Sequence, residues 1–209
     1  AGQDEASVRV VVDNTPSGGS VSVPDWNRST QIPFTFSDVD AAAVQLSNGW
    51  IWEGEDLCHA AGTGRVVSDA QALNGQAWFG EGGGDLPGGW YGPYTCALSS
   101  WQNYDVYFRL KTSDNATTEG LATLDVVDDQ GNRRYAERAL LGTDFAQSDS
   151  YEDFCLQLDY GSAWPTCQRA GSDDGLEFRT WFSGLGDLYL DRVAVFSQPQ
   201  PVPSSMVWD

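Results

Sequence analysis

Aromatic side chains gather around a glycine-rich stretch in the first half of the chain. Residues 80 to 93 contain seven glycines, with Trp90 and Tyr91 near the end of the stretch, Tyr94 just after it and Trp78 just before it. Aromatic faces stack on the apolar faces of sugar rings when hydrogen-bonding groups flank them. We therefore predict a ligand-binding surface of Trp90, Tyr91, Tyr94 and Trp78, with Trp90 and Tyr91 as the stacking pair. The alternative is that these rings cover an edge of the fold, with the core built from Trp50, Trp52, Trp101, Trp164 and Trp181.

Catalytic chemistry has little support in the residue pattern. His59 is the only histidine and directly follows Cys58, so a nucleophile–histidine pair would have to use it. The glycine run is not followed by the Lys-Ser/Thr pair of a phosphate-binding loop. The thirty acidic residues leave a glycosidase-type carboxylate pair open, but nothing in the sequence singles one out. We predict that the protein is not an enzyme.

The charge balance excludes two classes of partner. Thirty acidic residues against eleven basic ones give a formal net charge of −19, and Lys111 is the only lysine. Such a charge repels nucleic acid and anionic lipid, and the sequence has no long apolar run that could insert into a membrane. The acidity indicates a salt-tolerant solvated surface, cation binding, or both.

The four cysteines indicate an oxidising compartment. Cys58, Cys96, Cys155 and Cys167 form no C-x-x-C pair and have no histidine spacing suited to zinc. An even cysteine count in a chain rich in glycine and tryptophan favours disulfides over buried thiols. Three pairings are possible. We favour Cys58–Cys96 with Cys155–Cys167, because the second pair closes a short loop.

The elements that must position these residues are β-strands. Apolar residues alternate with polar ones in short segments separated by Gly, Pro, Asn and Asp, and no longer stretch has helical periodicity. The clearest segments are residues 8–12, 104–110, 121–127, 176–182 and 188–196. Because side chains alternate along a strand, Trp50 and Trp52 are predicted to share one face. Short strands with turn residues between them are typical of a β-sandwich or barrel.

The two ends of this region carry a resemblance. Trp52-Glu-Gly-Glu-Asp56 followed by residues 64–77 resembles the opening of carbohydrate-binding modules with the galactose-binding-like jelly roll. Residues 187–195 resemble the last strand of those modules, and residues 92–94 and 107–111 also suit them. The resemblance implies an all-β jelly-roll β-sandwich over residues 46–198 that binds a polysaccharide or other glycan without catalysis. Residues 1–45 are then an N-terminal β extension, and residues 199–209 a Pro-rich C-terminal tail.

The resemblance also implies a structural calcium ion where the first and last strands meet. Its ligands, carried over by position, would be Glu53 and Glu55 from the opening strand and Asp191 from the closing strand. Backbone carbonyls near Asn74 or Gly75 would complete the shell. Calcium takes six to eight oxygen ligands, and two carboxylates at i and i+2 lie on one face of a strand. The alternative is that these are solvated surface carboxylates.

The N-terminal extension has a different resemblance. Residues 8–16 resemble the last strand and linker of bacterial immunoglobulin-like surface repeats, and the strand 8–12 must complete a sheet of its own chain or of a neighbouring molecule. We favour the neighbouring molecule, which gives a second function: a structural subunit of an extracellular filament or surface layer, assembled from copies of itself by strand addition. Under either function we expect an extracellular or cell-surface protein whose signal peptide has been removed.

Overall fold

The computed structural model describes residues 7–12, 21–22, 35–36, 44–99, 101–128, 131, 133–160 and 175–198, with only the backbone described before residue 49. In these residues the chain forms fifteen strands and two short 3-10 turns, Gly54–Asp56 and Gly142–Asp144. The strands are β1 Ser7–Val12, β2 Val21–Ser22, β3 Thr35–Phe36, β4 Val44–Glu53, β5 Cys58–His59, β6 Arg65–Ser68, β7 Gln76–Gly80, β8 Gly88–Tyr91, β9 Pro93–Thr95, β10 Asn103–Lys111, β11 Gly120–Asp128, β12 Arg133–Leu141, β13 Glu152–Asp159, β14 Leu176–Phe182 and β15 Leu188–Ser197. Within the described part of the chain, no helix is long and apolar enough to cross a membrane.

Seven strands form the first sheet, which we call sheet I. Its order is β1-β4-β15-β10-β13, and β6 pairs with β7. β15 lies at the centre because it pairs with β10 on one side and with both β7 and β4 on the other. All of these pairings are antiparallel.

Six strands form the second sheet, which we call sheet II. Its order is β12-β11-β14-β8-β5, and β9 also pairs with β14. These pairings are antiparallel as well. β2 and β3 form a separate two-stranded sheet.

The core lies between the two sheets. Trp52 of sheet I stacks on Phe178 of sheet II with 5.3 Å between ring centroids, and Trp50 also packs against the core, as the alternation predicted. Alternate residues of both sheets are buried, so each sheet presents one apolar face. The fully buried side chains of greatest volume include Trp90, Tyr104, Tyr160, Phe108 and Phe178. The predicted all-β jelly-roll sandwich is therefore confirmed.

The N-terminal extension differs in detail from the prediction. β1 pairs with β4 of its own chain, from Ser7 opposite Gly49 to Val12 opposite Val44. Within the chain β1 thus completes sheet I, which is the alternative that we did not favour, and assembly with a neighbouring molecule stays a prediction. The predicted boundary between residues 45 and 46 falls inside β4, because that single strand pairs with β1 at one end and with β15 at the other. The predicted tail, residues 199–209, lies outside the described residues.

Candidate functional site

Trp90 is a core residue and not a surface platform. It lies in β8, is fully buried, and stacks on Phe182 with ring centroids 5.1 Å apart. Its indole Nε1 donates a hydrogen bond to Thr63 Oγ1 at 3.0 Å. The prediction of Trp90 as a stacking residue is wrong, because the glycines around it give its ring space to enter the core. A Cβ on Gly80, for example, would stand 2.8 Å from Trp90 Cζ2.

Trp78 lies in sheet I and packs against His59, not beside Tyr91. The two rings are nearly parallel, with centroids 3.5 Å apart. The His59 Nε2 atom lies 2.9 Å from the Gly54 carbonyl oxygen. Burial lowers the pKa of His59, although the Gly54 carbonyl and the charge of Glu55 act in the opposite direction. Trp78 and His59 thus form a packed contact between the sheets, and Trp78 is not part of a common surface with the predicted tyrosines.

Tyr91 and Tyr94 remain at the surface, on the side of sheet II that faces away from the core. Trp90 points into the core, so its neighbour Tyr91 points outward. Tyr91 and Tyr94 are half-buried and meet edge to face, with ring centroids 6.2 Å apart. These two residues are the part of the predicted aromatic surface that the structure brings together.

Trp181 is exposed in the structure, although the alternative interpretation of the sequence placed it in the core; the same is true of Trp101. In β14, Phe178, Thr180 and Phe182 are buried on the core side, whereas Trp181 has 44% of its surface exposed. It pairs with Gly89 of β8, and its ring occupies the space above that glycine. Trp181 therefore lies on the same outward side of sheet II as Tyr91.

A paired set of charges lies next to Trp181. Arg179 Nε and Nη2 each donate a hydrogen bond of 2.7 Å to the carboxylate of Asp125 on β11, and the guanidinium lies 5.2 Å from the centre of the Trp181 ring. Hydrogen bonding to Asp125 raises the pKa of Arg179 against the effect of burial, and the charges of Asp125 and Glu177 contribute in the same direction as the hydrogen bond. Such bidentate pairs hold both side chains in fixed positions.

A second arginine extends this set towards β12. Arg134 Nε lies 3.6 Å from Asp125 Oδ2, and Arg134 Nη1 contacts the Glu137 carboxylate. Glu137 is opposite Asp125 in the β11–β12 register and shares its side of the sheet. We call this surface the outer face of sheet II; it consists of Gly89, Tyr91, Tyr94, Asp125, Arg134, Glu137, Glu177, Arg179 and Trp181. Its aromatic ring and fixed polar groups suit a ligand with one apolar side and several hydroxyl groups.

Only some of the predicted metal ligands lie close together. β4 ends at Glu53, and Glu55 lies in the following 3-10 turn, so the two carboxylates do not share a strand face as predicted. The chain turns there because Gly54 packs against the backbone of Leu190, leaving no space for a Cβ. Among the residues described, no three His, Cys, Asp or Glu side chains are grouped closely enough to hold a metal ion.

Asp191 and Glu55 are nevertheless neighbours. Asp191 is fully buried; its Oδ1 accepts a 2.9 Å hydrogen bond from the Leu73 N–H, and its Oδ2 contacts Arg192 at 2.7 Å and Arg109 at 3.2 Å. Burial raises the pKa of Asp191, the Glu55 charge raises it further, and these partners oppose the rise.

Glu55 has the property expected of an oxygen ligand. Its Oε1 accepts a 2.5 Å hydrogen bond from Asn74, whereas its buried Oε2 has no hydrogen-bond partner. A calcium ion would satisfy that oxygen, so Glu55 and Asp191 fit a cation chemically, although Arg109 and Arg192 already neutralise Asp191. Calcium binding stays a prediction.

The cysteines do not pair as predicted. Cys96 is disulfide-bonded, but Cys58 carries a free and exposed thiol, so the Cys58–Cys96 bridge is absent. Cys58 lies in β5 opposite Tyr91 of β8, and this pairing holds it in sheet II. Cys155 is an exposed thiol of β13 and not half of a disulfide, which contradicts the Cys155–Cys167 pair. Cys167 itself lies outside the described residues.

No known protein family's sequence profile matches the chain, and no curated protein matches it in sequence. Solved structures do match. A CBM4 structure is similar with a TM-score of 0.47 and 13% identity, covering 69% of this chain and 96% of that one. The carbohydrate binding module CBM6cm-2 of Cellvibrio mixtus lichenase 5A, in complex with cellotriose, has a TM-score of 0.45 and 14% identity, covering 72% and 98%. The Agl-KA catalytic domain has a TM-score of 0.46 and 14% identity, covering 75% and 29%. These similarities concern the arrangement of strands alone.

Proposed function

We propose that this chain is a non-catalytic, extracellular or cell-surface glycan-binding module that holds a polysaccharide on the outer face of sheet II. The observation that carries the proposal is Trp181, an indole with 44% of its surface exposed on a sheet face that also carries charged side chains. Apolar area of this size is normally buried on folding, and a sugar ring can cover it while its hydroxyls remain hydrogen-bonded. Trp181 is therefore the stacking platform in this proposal.

The groups around Trp181 support the same function. Arg179 and Asp125 are fixed to each other by two hydrogen bonds, which keeps their remaining hydrogen-bonding capacity in a defined orientation. Tyr91 and Tyr94 add a second aromatic group on the same face. Two aromatic groups on one face favour a chain of several sugar units over a single one.

Two further observations support a non-catalytic role and a location outside the cytoplasm. Asp125 and Glu137 are both paired with arginine, an arrangement that suits hydrogen bonding to hydroxyls better than proton transfer. The disulfide at Cys96 favours an oxidising environment outside the cytoplasm.

We also propose that calcium has a structural role at the seam between β15 and the turn after β4. Glu55 and Asp191 would supply carboxylate oxygens there, and the ion would satisfy the buried Glu55 Oε2. The ion would tie the two segments together and would take no part in contacting the glycan.

The test compares two exposed tryptophans in affinity electrophoresis and calorimetry against a panel of soluble polysaccharides. Trp181→Ala should weaken binding by at least about tenfold, or ~1.4 kcal/mol. Trp101→Ala is the matched control, because Trp101 is 69% exposed but lies outside the outer face, in the turn before β10. Equal binding by wild type and Trp181→Ala, or no binding of the wild-type protein to any polysaccharide, would contradict the proposal.

A further inference from the structure

The Trp181 ring lies flat on sheet II. A Cβ on Gly89 would stand 3.1 Å from Cζ3 of the indole, and 3.3 and 3.4 Å from Cε3 and Cη2, the atoms bonded to Cζ3. An approach to the ring edge would leave these bonded atoms clearly farther away than Cζ3, so Gly89 lies beneath the ring face. Because a Cβ points away from the plane of its sheet, the indole is parallel to the sheet and turns its other face outward.

An exposed indole needs support to keep such an orientation. Trp181 is 44% exposed, and exposed side chains change rotamer within nanoseconds unless neighbouring groups hold them. Gly89 supplies a floor for the ring but has no side chain to stand beside it. Arg179, two residues earlier in β14, does contact the ring: its guanidinium carbon lies 5.2 Å from the ring centre, within the range of a cation–π interaction.

Arg179 is itself held in place. Its Nε and Nη2 each donate a hydrogen bond of 2.7 Å to the carboxylate of Asp125. Its Nη1 packs against Gly131 in the turn between β11 and β12, where a Cβ would stand 2.7 Å from that nitrogen. A guanidinium bound through a two-pronged fork cannot rotate without breaking both hydrogen bonds. Arg179 therefore gives Trp181 a fixed neighbour.

Asp125 lies out of reach of a ligand. Its side chain is 1% exposed, and that of Arg179 is 12% exposed. A carboxylate so covered influences binding only through the groups that it holds, and the group held by Asp125 is the one that contacts the Trp181 ring.

We infer that Asp125 is a positioning residue of the glycan site: through Arg179 it holds the Trp181 indole parallel to sheet II, where a sugar ring lying flat along the sheet stacks on it. The inference rests on the proposed function and adds how the stacking platform is held. Immobilising a side chain on binding costs affinity, and a ring that is already oriented avoids this cost. Asp125 thus raises the affinity without touching the polysaccharide.

The first test measures affinity in Asp125→Asn. This change keeps the shape of the side chain, but the amide nitrogen is a donor and cannot accept a hydrogen bond from Arg179. Affinity should fall about threefold to tenfold, which corresponds to ordering one mobile side chain. The probes are hydroxyethyl cellulose, arabinoxylan, galactomannan and pullulan, of which those bound by the wild type are used. Asp153→Asn is the matched control, since Asp153 also pairs with an arginine but lies on β13 of sheet I.

A double-mutant cycle tests whether Asp125 acts through Trp181. In the Trp181→Ala background, Asp125→Asn should cause no further loss of affinity, because the ring that it positions is already gone. Affinity electrophoresis at high polymer concentration measures the weak residual binding. Arg179→Lys keeps the positive charge but cannot form the fork, so it should weaken binding as much as Asp125→Asn does.

Fluorine NMR of protein labelled with fluorotryptophan reports on the ring itself. The Trp181 resonance is assigned by its absence in Trp181→Phe. In Asp125→Asn this resonance should shift and broaden in the absence of any ligand, as the ring gains freedom. The resonance of the buried Trp90 should stay unchanged, which shows that the fold is intact.

The outcomes separate the inference from the proposed function. Full binding by Trp181→Ala, or no binding by the wild type, would sink the proposed function and the inference together. Weak binding by Trp181→Ala with wild-type affinity in Asp125→Asn would overturn the inference alone. An equal loss from Asp125→Asn with and without Trp181, or an unchanged Trp181 resonance, would overturn it as well, because Asp125 would then act elsewhere.

Discussion

The ring of Trp181 lies over Gly89 of the neighbouring strand so closely that a Cβ at Gly89 would stand 3.1 Å from Cζ3 of the indole. The glycine thus fixes how near the indole lies to the sheet. Gly89→Ala should push the ring away from the sheet and weaken polysaccharide binding several-fold. The free energy of unfolding should change by less than about 1 kcal/mol, because a strand accommodates alanine at least as well as glycine. Titration calorimetry and denaturant unfolding measure the two effects.

Gly120→Ala is the control for this change. Gly120 also lies in a strand of sheet II, and a Cβ there would have nothing within 4 Å. Gly120→Ala should therefore bind as the wild type does. Equal affinity of Gly89→Ala and wild type would mean that the position of the Trp181 ring does not matter for the ligand.

Trp90 should matter for stability and not for contact with a ligand. Trp90→Ala removes a fully buried indole together with its hydrogen bond to Thr63, so we expect a loss of about 3–5 kcal/mol in the free energy of unfolding. Trp181→Ala removes a residue of the same type from the surface and should change that free energy by no more than about 1 kcal/mol. Guanidinium unfolding of both variants measures the difference. Similar losses in the two variants would contradict the placement of Trp90 in the core and of Trp181 at the surface.

The pair of Lys111 and Asp69 should shape the response to acid. Lys111 Nζ contacts Asp69 Oδ2 and lies over the rings of Tyr151 and Tyr189, at 4.8 and 4.4 Å from their centres. Burial alone would raise the pKa of Asp69, but hydrogen bonds from Lys111, the Gln71 N–H and Tyr151 outweigh it, and the pKa lies below its ordinary value. The native state therefore holds the Asp69 proton less tightly than the unfolded state does.

A lowered pKa in the native state stabilises the fold above the unfolded value of about 3.9 and ceases to do so as pH falls through the native value. Asp69→Asn should therefore reduce stability at pH 7, because Lys111 loses its counter-ion, and should make stability less dependent on pH below about 4. Unfolding at several pH values measures this slope, with Glu119→Gln as a surface control. A slope identical to that of the wild type would exclude Asp69 as a source of acid sensitivity.

Calcium should stabilise the protein if it binds at the seam of Glu55 and Asp191. An ion at about 100 times its Kd adds ~2.7 kcal/mol, which corresponds to several degrees in Tm for a chain of this size. Chelation should lower Tm in the wild type but not in Glu55→Gln, whereas Glu119→Gln should respond as the wild type does. An unchanged Tm after chelation, with no metal found by elemental analysis, would show that the protein does not bind calcium at this site.

The strands were predictable because alternation depends on local sequence alone. In the segment of residues 176–182, Leu176, Phe178, Thr180 and Phe182 stand at every second position and are buried, and Glu177 is buried as well. The same alternation places Trp181 with Glu177 and Arg179, and a tryptophan on the polar side of a strand is a signal that could have identified the outer face. The sequence analysis missed it because it looked for the ligand surface in the glycine-rich stretch and considered Trp181 only as a core residue, in the alternative interpretation.

The remaining errors concern long-range packing. The glycine-rich stretch around Trp90 led to the prediction of an aromatic ligand surface, yet Gly80 and Gly89 provide space for the rings of Trp90 and Trp181. Glycine composition does not distinguish a mobile loop from close packing, because both follow from the absence of a Cβ. The cysteine pairing failed for a similar reason: short sequence separation favours a pair only if the two side chains face each other, and Cys155 points outward from β13.

The central position of β15 determines when sheet I can fold during synthesis of the chain. A ribosome releases the strands from the N-terminal end, so β4, β7 and β10 emerge before the strand that joins them. Until β15 emerges, these partners cannot form sheet I, and their apolar sides have no complete core to enter. The closing step of folding must therefore follow synthesis of residues 188–197, and nascent chains shorter than this leave apolar strand faces uncovered, which favours aggregation.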